Sequence, residues 1–527
     1  MRKTFSARVL LERTTLTLAA VLFCANALKP QPVAPQGNAP EQRTARYFES
    51  IRKSPPQELA FLLKMPKGGD LHNHLSGSIY AETYIQWAAD KGLCIDTRTM
   101  ILFSTSPPTQ CDPKSEKPPV STAFTNSALY GRMIDAWSMR NWQLSGESGH
   151  DHFFATFGKF AAATYDKTGE MIADAASRAA RGHVIYLELM LTPDGVPTGV
   201  LSSQIGQNVG WDDNPESTLS KLKSKGIANA IATGIKNLQE AEAEKDRVLK
   251  CGTPQADAGC SVTIRYVSQV ARLASPGAVF AQMVTGFALA NNPNSKVVAL
   301  NLVQAEDGPA SIQNFKEHMQ MLKFLRTQYP HAHVTLHAGE LAPGLVSPGE
   351  LKFHIRDSVM IAGAERIGHG VDVMHEDDSS ALLREMARRN VMVEICLSSN
   401  DLILGISGSQ HPLMTYMKYG VPVALATDDE GVSRSEMSRE FLKAAEDQGL
   451  GYIQLKTMAR NSLQYAFING GSLWGDARKF VPVSQCAQDF AVMKLSSNGC
   501  RQYVNGSEKA KLQWKLEEEL NAFERQY

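Results

Sequence analysis

Two histidines, His72 and His74, lie two positions apart in a short run that reads as a β-strand, so both side chains leave the same face. Such a pair grips an ion poorly without further ligands. Suitable ones end later strand-like runs: His337 in Thr335-Leu336-His337-Ala338-Gly339-Glu340 and Asp428 in Ala426-Thr427-Asp428-Asp429. Three neutral imidazoles and one carboxylate suit a single Zn²⁺ per chain, and a position left open for water would lower that water's pKa to about 7. The chemistry on offer is hydrolysis near neutral pH.

Three more residues fall where such chemistry needs proton transfer and substrate contact. Glu340, three residues past His337, is placed to act as a general acid, which requires burial to raise its pKa. His369, in Arg366-Ile367-Gly368-His369-Gly370, is placed either to take a proton from the attacking water or to orient it. Asp429 follows Asp428 at a strand end where the chain turns, so one carboxylate can bind metal while the other binds substrate. The remaining histidines, including His150, His152, His331, His333 and His375, read mostly as surface residues.

Eight β-rich runs position these residues: 70–75, 184–191, 262–270, 297–303, 334–337, 366–369, 391–397 and 421–427. They alternate with longer helical patterns, which predicts an α/β fold, a (β/α)8 TIM barrel closed so that the first strand neighbours the eighth. Such a barrel needs roughly 250 residues, so the rest is addition. The predicted organisation is a signal peptide over 1–27, a linker and N-terminal helix over 28–64, the barrel over 65–475 and a C-terminal helical extension over 476–527. A solvated Pro/Gln-rich linker is expected over 30–42 and a single helix over 45–64. A Pro-, Ser- and Thr-rich insertion, 94–149, follows strand one and so belongs at the rim that carries the chemistry, as a lid or as surface decoration.

Of the 527 residues, 43% are hydrophobic and 20% charged, and the 54 Lys and Arg balance the 54 Asp and Glu. That balance supplies no net field for nucleic acid or an anionic membrane. Arg2, Lys3 and Arg8 precede an apolar run, 16–24, and Ala25-Asn26-Ala27, the pattern of an export signal cleaved after Ala27. The run is shorter than the ~20 residues of a spanning helix, so no stable membrane insertion is expected. An exported protein, periplasmic or extracellular, allows the local cysteine pairs 94/111, 251/260 and 486/500, with Cys396 a buried free thiol. Nothing in the sequence sets an oligomeric state.

The motifs, taken together and in order, resemble the adenosine deaminase family, including its secreted, growth-factor-like members. The resemblance rests on Met65-Pro66-Lys67-Gly68-Gly69-Asp70-Leu71-His72-Asn73-His74-Leu75, on 335–340, 366–370, Cys396-Leu397-Ser398-Ser399-Asn400 and Thr427-Asp428-Asp429. It implies zinc on His72, His74, His337 and Asp428, with Glu340 protonating purine N1, His369 assisting the attacking hydroxide and Asp429 holding N7. The implied reaction converts adenosine or 2′-deoxyadenosine to inosine or 2′-deoxyinosine plus ammonia, the partner being a small purine nucleoside. Two positions depart from the family pattern. Ser76 stands where the family has an aspartate near the ribose 5′ end, which favours 5′-modified adenosines more than usual. Gln304 stands where the family has a glycine whose N–H meets the base, and its Cβ is expected to crowd the ring. Alternatives left open are deamination of adenine or of 5′- or N6-substituted adenosine, and nucleoside binding or signalling without turnover.

Overall fold

Near-continuous apolar runs such as Val184–Leu191 and Val297–Val303 suit parallel strands covered on both faces, and both are buried strands of one sheet. The structure, a computed structural model, describes residues 39–104 and 111–527; the expected signal peptide and the linker up to residue 38 lie outside the described residues. The sheet comprises β1 (Gly68–His74), β2 (Val184–Leu191), β3 (Thr263–Ala271), β4 (Val297–Val303), β5 (His333–Ala338), β6 (Arg366–His369), β7 (Met392–Ile395) and β8 (Val423–Leu425), neighbours in chain order. The seven pairings between these neighbours are all parallel. Closure comes from the chain leaving β8. His74 N–H donates to the Asp428 carbonyl at 3.0 Å, and Asp428 N–H to the His72 carbonyl at 2.8 Å. The fold is therefore the expected (β/α)8 barrel; β2, β4 and β6 have the bounds read in the sequence, and the ends of the other five strands differ from those read by one or two residues.

The N-terminal extension differs from the expected single helix. Two helices, Ala39–Ile51 and Pro55–Lys64, break at Arg52–Ser54 because Pro55 and Pro56 lack the N–H groups needed to continue a helix but suit its first turn. Residues 39–42, expected in the linker, are helical, and Thr44 and Phe48 on the same helix are buried.

The C-terminal extension ends in helix Glu508–Glu524. Its Leu512, Leu516 and Leu520 share a buried cluster with Leu71, Ile185, Tyr186, Met392 and Ala424, of which Met392 begins β7 and Ile185 and Tyr186 lie near the start of β2. This helix thereby seals the end of the barrel opposite the strand C-termini. Lys456 ties it to the N-terminal helix through Glu524 and Glu41, at 2.5 and 2.6 Å.

The insertion, by contrast, packs at the mouth. It carries a short hairpin, Cys94–Ile95 with Leu102–Phe103, then helix Ser127–Ala136, started by Asn126 accepting from Leu129 N–H. Met139 N–H donates to the Val432 carbonyl at 2.8 Å, just past β8, and His150 Nε2 meets Asp307 Oδ1 at 3.0 Å, just past β4. The three expected cysteine pairs are bonded and Cys396 is free and buried. His152, expected at the surface, is buried beneath the insertion with Nε2 at 3.1 Å from both the Asp135 and Ser138 carbonyls. No helix among the described residues is long and apolar enough to cross a membrane.

Candidate metal centre and proton-transfer groups

The C-terminal ends of β1, β5 and β8 bring four side chains to one point. His337 Nε2 lies 3.0 Å from His72 Nε2 and 3.1 Å from His74 Nε2, while Asp428 Oδ1 is 3.5 and 3.3 Å from the same two β1 nitrogens. Ligands at about 2.0–2.1 Å around a tetrahedral ion stand roughly 3.3 Å apart, so these atoms have the spacing of such a set. All four residues are at most 9% exposed. Three imidazole nitrogens and a carboxylate oxygen converging at this spacing are the donor set of a tetrahedral metal site, so the residues fit a metal ion. Gly368 permits the packing, because a Cβ there would sit 2.5 Å from His72 Cε1.

Each imidazole is held from behind. His72 Nδ1 is 2.6 Å from Glu394 Oε2, His337 Nδ1 is 2.9 Å from Asn301 Oδ1, and His74 Nδ1 is 2.7 Å from the Gln269 side-chain amide. Glu394 and Asn301 present oxygens that accept from Nδ1–H and so leave Nε2 of His72 and His337 for the ion, while Gln269 fixes the orientation of the His74 ring. Glu394 is fully buried, which would raise its pKa, but Arg366 and His72 hold it down at about 2. Arg366 in turn bridges Glu394 and Glu188 across the barrel. Burial opposes charging His72, yet its bonds to Asp428 and Glu394 raise it to about 10, whereas burial lowers His74 to about 4. Sequence reasoning missed Glu394, Asn301 and Gln269. For Glu394 the signal was present, since a carboxylate within Val391-Met392-Val393-Glu394-Ile395 must be paired to be buried.

Glu340, His369 and Asp429 stand beside the cluster. Glu340 Oε1 is 3.7 Å from His369 Nε2. Burial, with the charges of Asp428 and Glu306, raises Glu340 to about 8. Glu306 fixes its backbone, accepting from Glu340 N–H at 2.9 Å and Gly339 N–H at 3.2 Å, and is itself held by His354 at 2.6 Å. Asp429 is pushed well above the carboxylate range by burial and then by Asp428, and its Oδ1 is buried without a partner. Gly77 makes room for it, as a Cβ there would fall 1.5 Å from that oxygen.

The tautomer of His369 follows from a chain of donors. Leu413 N–H donates to His411 Nδ1 at 3.2 Å, which leaves the proton of neutral His411 on Nε2; that group donates to Asn400 Oδ1 at 3.1 Å. The Asn400 amide then donates to His369 Nδ1 at 2.9 Å. Burial lowers His369 to about 3, so it is neutral and its single proton sits on Nε2, the buried nitrogen facing Glu340 that has no protein partner. Ser399, next to Asn400, donates to Asp428 Oδ2 at 2.6 Å. His369 and Asp428 both adopt left-handed backbone, φ 68° and 59°, a conformation unusual for such residues and concentrated at functional sites.

The other two expected contact residues sit differently. Ser76 is half-buried in the turn after β1 and lines a cavity beside the cluster. Gln304 is exposed, with φ 78°, and its side-chain oxygen accepts from Leu273 N–H at 3.1 Å, so the side chain turns toward the β3 loop. That left-handed backbone explains why glycine would suit this position.

A closed parallel barrel with a three-imidazole, one-carboxylate cluster at its strand C-termini defines a barrel protein with a metal-binding mouth. The chain belongs to the adenosine deaminase family, whose sequence profile matches residues 151–472. It is 34% identical over 178 residues to the adenosine deaminase of Salmonella heidelberg (strain SL476), an alignment covering 33% of this chain and 48% of that protein. The adenosine deaminase of Escherichia coli O157:H7 (strain EC4115 / EHEC) is also 34% identical, over 176 residues, covering 33% of this chain and 47% of that protein. The chain thus spans about half the length of the curated relatives it matches. Its fold is that of the N6-methyl-AMP deaminase from Arabidopsis thaliana in its apo form, with a TM-score of 0.50, 18% identity and coverage of 78% of this chain and 94% of that one.

Proposed function

We propose that the chain is a zinc-dependent deaminase that hydrolyses the 6-amino group of adenosine or 2′-deoxyadenosine, giving inosine or 2′-deoxyinosine and ammonia. The observation that carries this reading is the meeting of four ligand atoms within 4.8 Å of one another, with Glu340, His369 and Asp429 beside them. Zinc on His72, His74, His337 and Asp428 would supply positive charge that makes water a nucleophile near neutral pH.

The protein's own groups do the rest. Glu340, protonated up to about 8, donates to N1 of the purine and so makes C6 electrophilic. Asp429, kept protonated by burial and by Asp428, donates to N7 and orients the ring. His369 presents an N–H and therefore orients the attacking oxygen by donating to it; it is not the base. Addition of water oxygen to C6 saturates that carbon with N1 protonated. Of the two water protons, one returns to the Glu340 carboxylate and regenerates the acid, and the other goes to N6, so that breaking the C6–N6 bond releases ammonia and leaves oxygen on C6 and hydrogen on N1.

The test is ammonia release from adenosine by the purified protein, before and after a chelator, with zinc content measured alongside. A single zinc per chain, activity lost on chelation and activity restored by Zn²⁺ are expected; ammonia release indifferent to chelation would sink the reading. Glu340→Gln should keep its zinc while losing about 10²–10⁴-fold in kcat. An export route is part of the same proposal, supported by the basic, apolar and Ala-x-Ala start and by three cysteine pairs. N-terminal sequencing of the mature protein checks it, with Leu28 expected first.

A further inference from the structure

Beside the cluster a cavity of about 780 Å³ runs from an inner wall at Leu75, Ser76 and Gln269 outward to Tyr165, Val196 and Asn237. Gln269 is the residue whose amide lies 2.7 Å from His74 Nδ1, so the cavity begins where the cluster ends. Glu340, His369, Asp428 and Asp429 line none of it. A ring that takes protons from Glu340 and Asp429 therefore lies outside this cavity, and the part of the substrate remote from the amine is the part that can reach it, past Ser76 and Gln269.

The size and lining of the cavity restrict what that part can be. Whole drug-sized ligands occupy sites of about 300–1,000 Å³, so a bare hydroxymethyl group would leave most of this volume unfilled. Leu75, Met171, Met190 and Leu191 make apolar wall. The charged residues of the lining are Asp166, Glu170, Glu240 and Glu244, and no lysine or arginine is among the lining residues. Lys167, Lys236 and Arg247 pair with the three glutamates from outside the lining, so they offer a phosphate nothing within the cavity. Phosphate recognition needs cationic or clustered N–H donors, which these walls lack.

We infer that this cavity is a subsite for an extended, uncharged substituent at the 5′ position of the nucleoside, so that 5′-alkylthio-5′-deoxyadenosines are substrates and 5′-phosphates are excluded. The inference rests on the deaminase reading and narrows its substrate class. Ser76 belongs to it as the neutral residue at the inner wall, where a carboxylate would need a polar partner that an alkylthio group cannot provide.

The zinc-loaded full protein is assayed with adenosine, 5′-butylthio-5′-deoxyadenosine and AMP. The inference requires kcat/KM for the butylthio nucleoside at or above that for adenosine, and AMP poorer by about 100-fold or more. It also requires that Val196→Trp, which fills the outer part of the cavity from a surface hairpin, lower the butylthio-to-adenosine ratio by about tenfold. A butylthio nucleoside poorer than adenosine, AMP within reach of adenosine, or a ratio indifferent to Val196→Trp overturns it. If no nucleoside is deaminated, the reaction reading falls, and calorimetry judges the subsite alone. Tighter binding of the butylthio nucleoside than of adenosine, weakened by Val196→Trp, supports the subsite; equal or weaker binding overturns it.

Discussion

A histidine can donate a proton in place only if its other ring nitrogen is already accepting, and His369 meets that condition through Asn400. Asn400→Asp, nearly isosteric, replaces the donor with a carboxylate that draws the His369 proton to Nδ1 and leaves Nε2 with a lone pair. The expected result is a fall in kcat of about 10²-fold or more with little change in KM, since the lost bond forms to the attacking oxygen and not to bound nucleoside. Nitrogen NMR of the His369 ring checks the cause directly: wild type should show the Nε2–H tautomer and Asn400→Asp the Nδ1–H tautomer. An unchanged tautomer would remove the relay from the mechanism. The same logic at His72 concerns the ion. Glu394→Gln weakens the hold on His72 Nδ1 and leaves Arg366 with Glu188 as its remaining carboxylate. Zinc affinity, measured by competition with a chelator of known strength, should fall about 10–100-fold. Full affinity in Glu394→Gln would show that the ring needs no such anchor.

Strands deliver these residues because a barrel converges its C-terminal strand ends, and helix Glu508–Glu524 keeps the opposite end shut. Leu516 is 1% exposed in that seal, and Leu516→Ala should destabilise the fold by about 2–5 kcal/mol, read from chemical denaturation. A loss well below that range would mean the helix caps the barrel without packing into it. The strands were legible because Val184–Leu191 and Val297–Val303 are too apolar to be anything but buried. The site's outline was legible because His72, His74, His337 and Asp428 all fall at strand ends, where alternation and closure dictate their direction. What could not be read were contacts made between strands. Asn301 and Gln269 are ordinary polar residues until β4 is known to lie beside β5 and β3 to face β1 across the mouth. The break between the two N-terminal helices was legible in Pro55-Pro56 but masked by helical periodicity on either side. Gln304 was readable as a departure from glycine, while the direction of its side chain depended on a loop N–H from β3.

At the scale of the whole molecule, the two additions act on opposite ends of one barrel, the C-terminal helix closing the base and the insertion covering the mouth. His150 joins the helix that follows the insertion to the β4 loop through Asp307 at 3.0 Å, with Asp151 at 3.0 Å on its other nitrogen. The bond to Asp307 is the larger influence and, against partial burial, raises His150 from 6.5 to about 9. A folded-state pKa above the unfolded one means the histidine contributes stability that is complete below pH 6.5 and disappears as pH rises through about 9. His150→Asn cannot carry that charge. The difference in Tm between wild type and His150→Asn should therefore be largest below pH 6.5 and shrink steadily toward pH 9. Salt should shrink it less than it shrinks an exposed pair, because the His150 side chain is 16% exposed and Asp307 18%. A gap that stays constant across that pH window, or widens with rising pH, would show that His150 holds the insertion by shape alone and that the ion pair with Asp307 contributes nothing to covering the mouth.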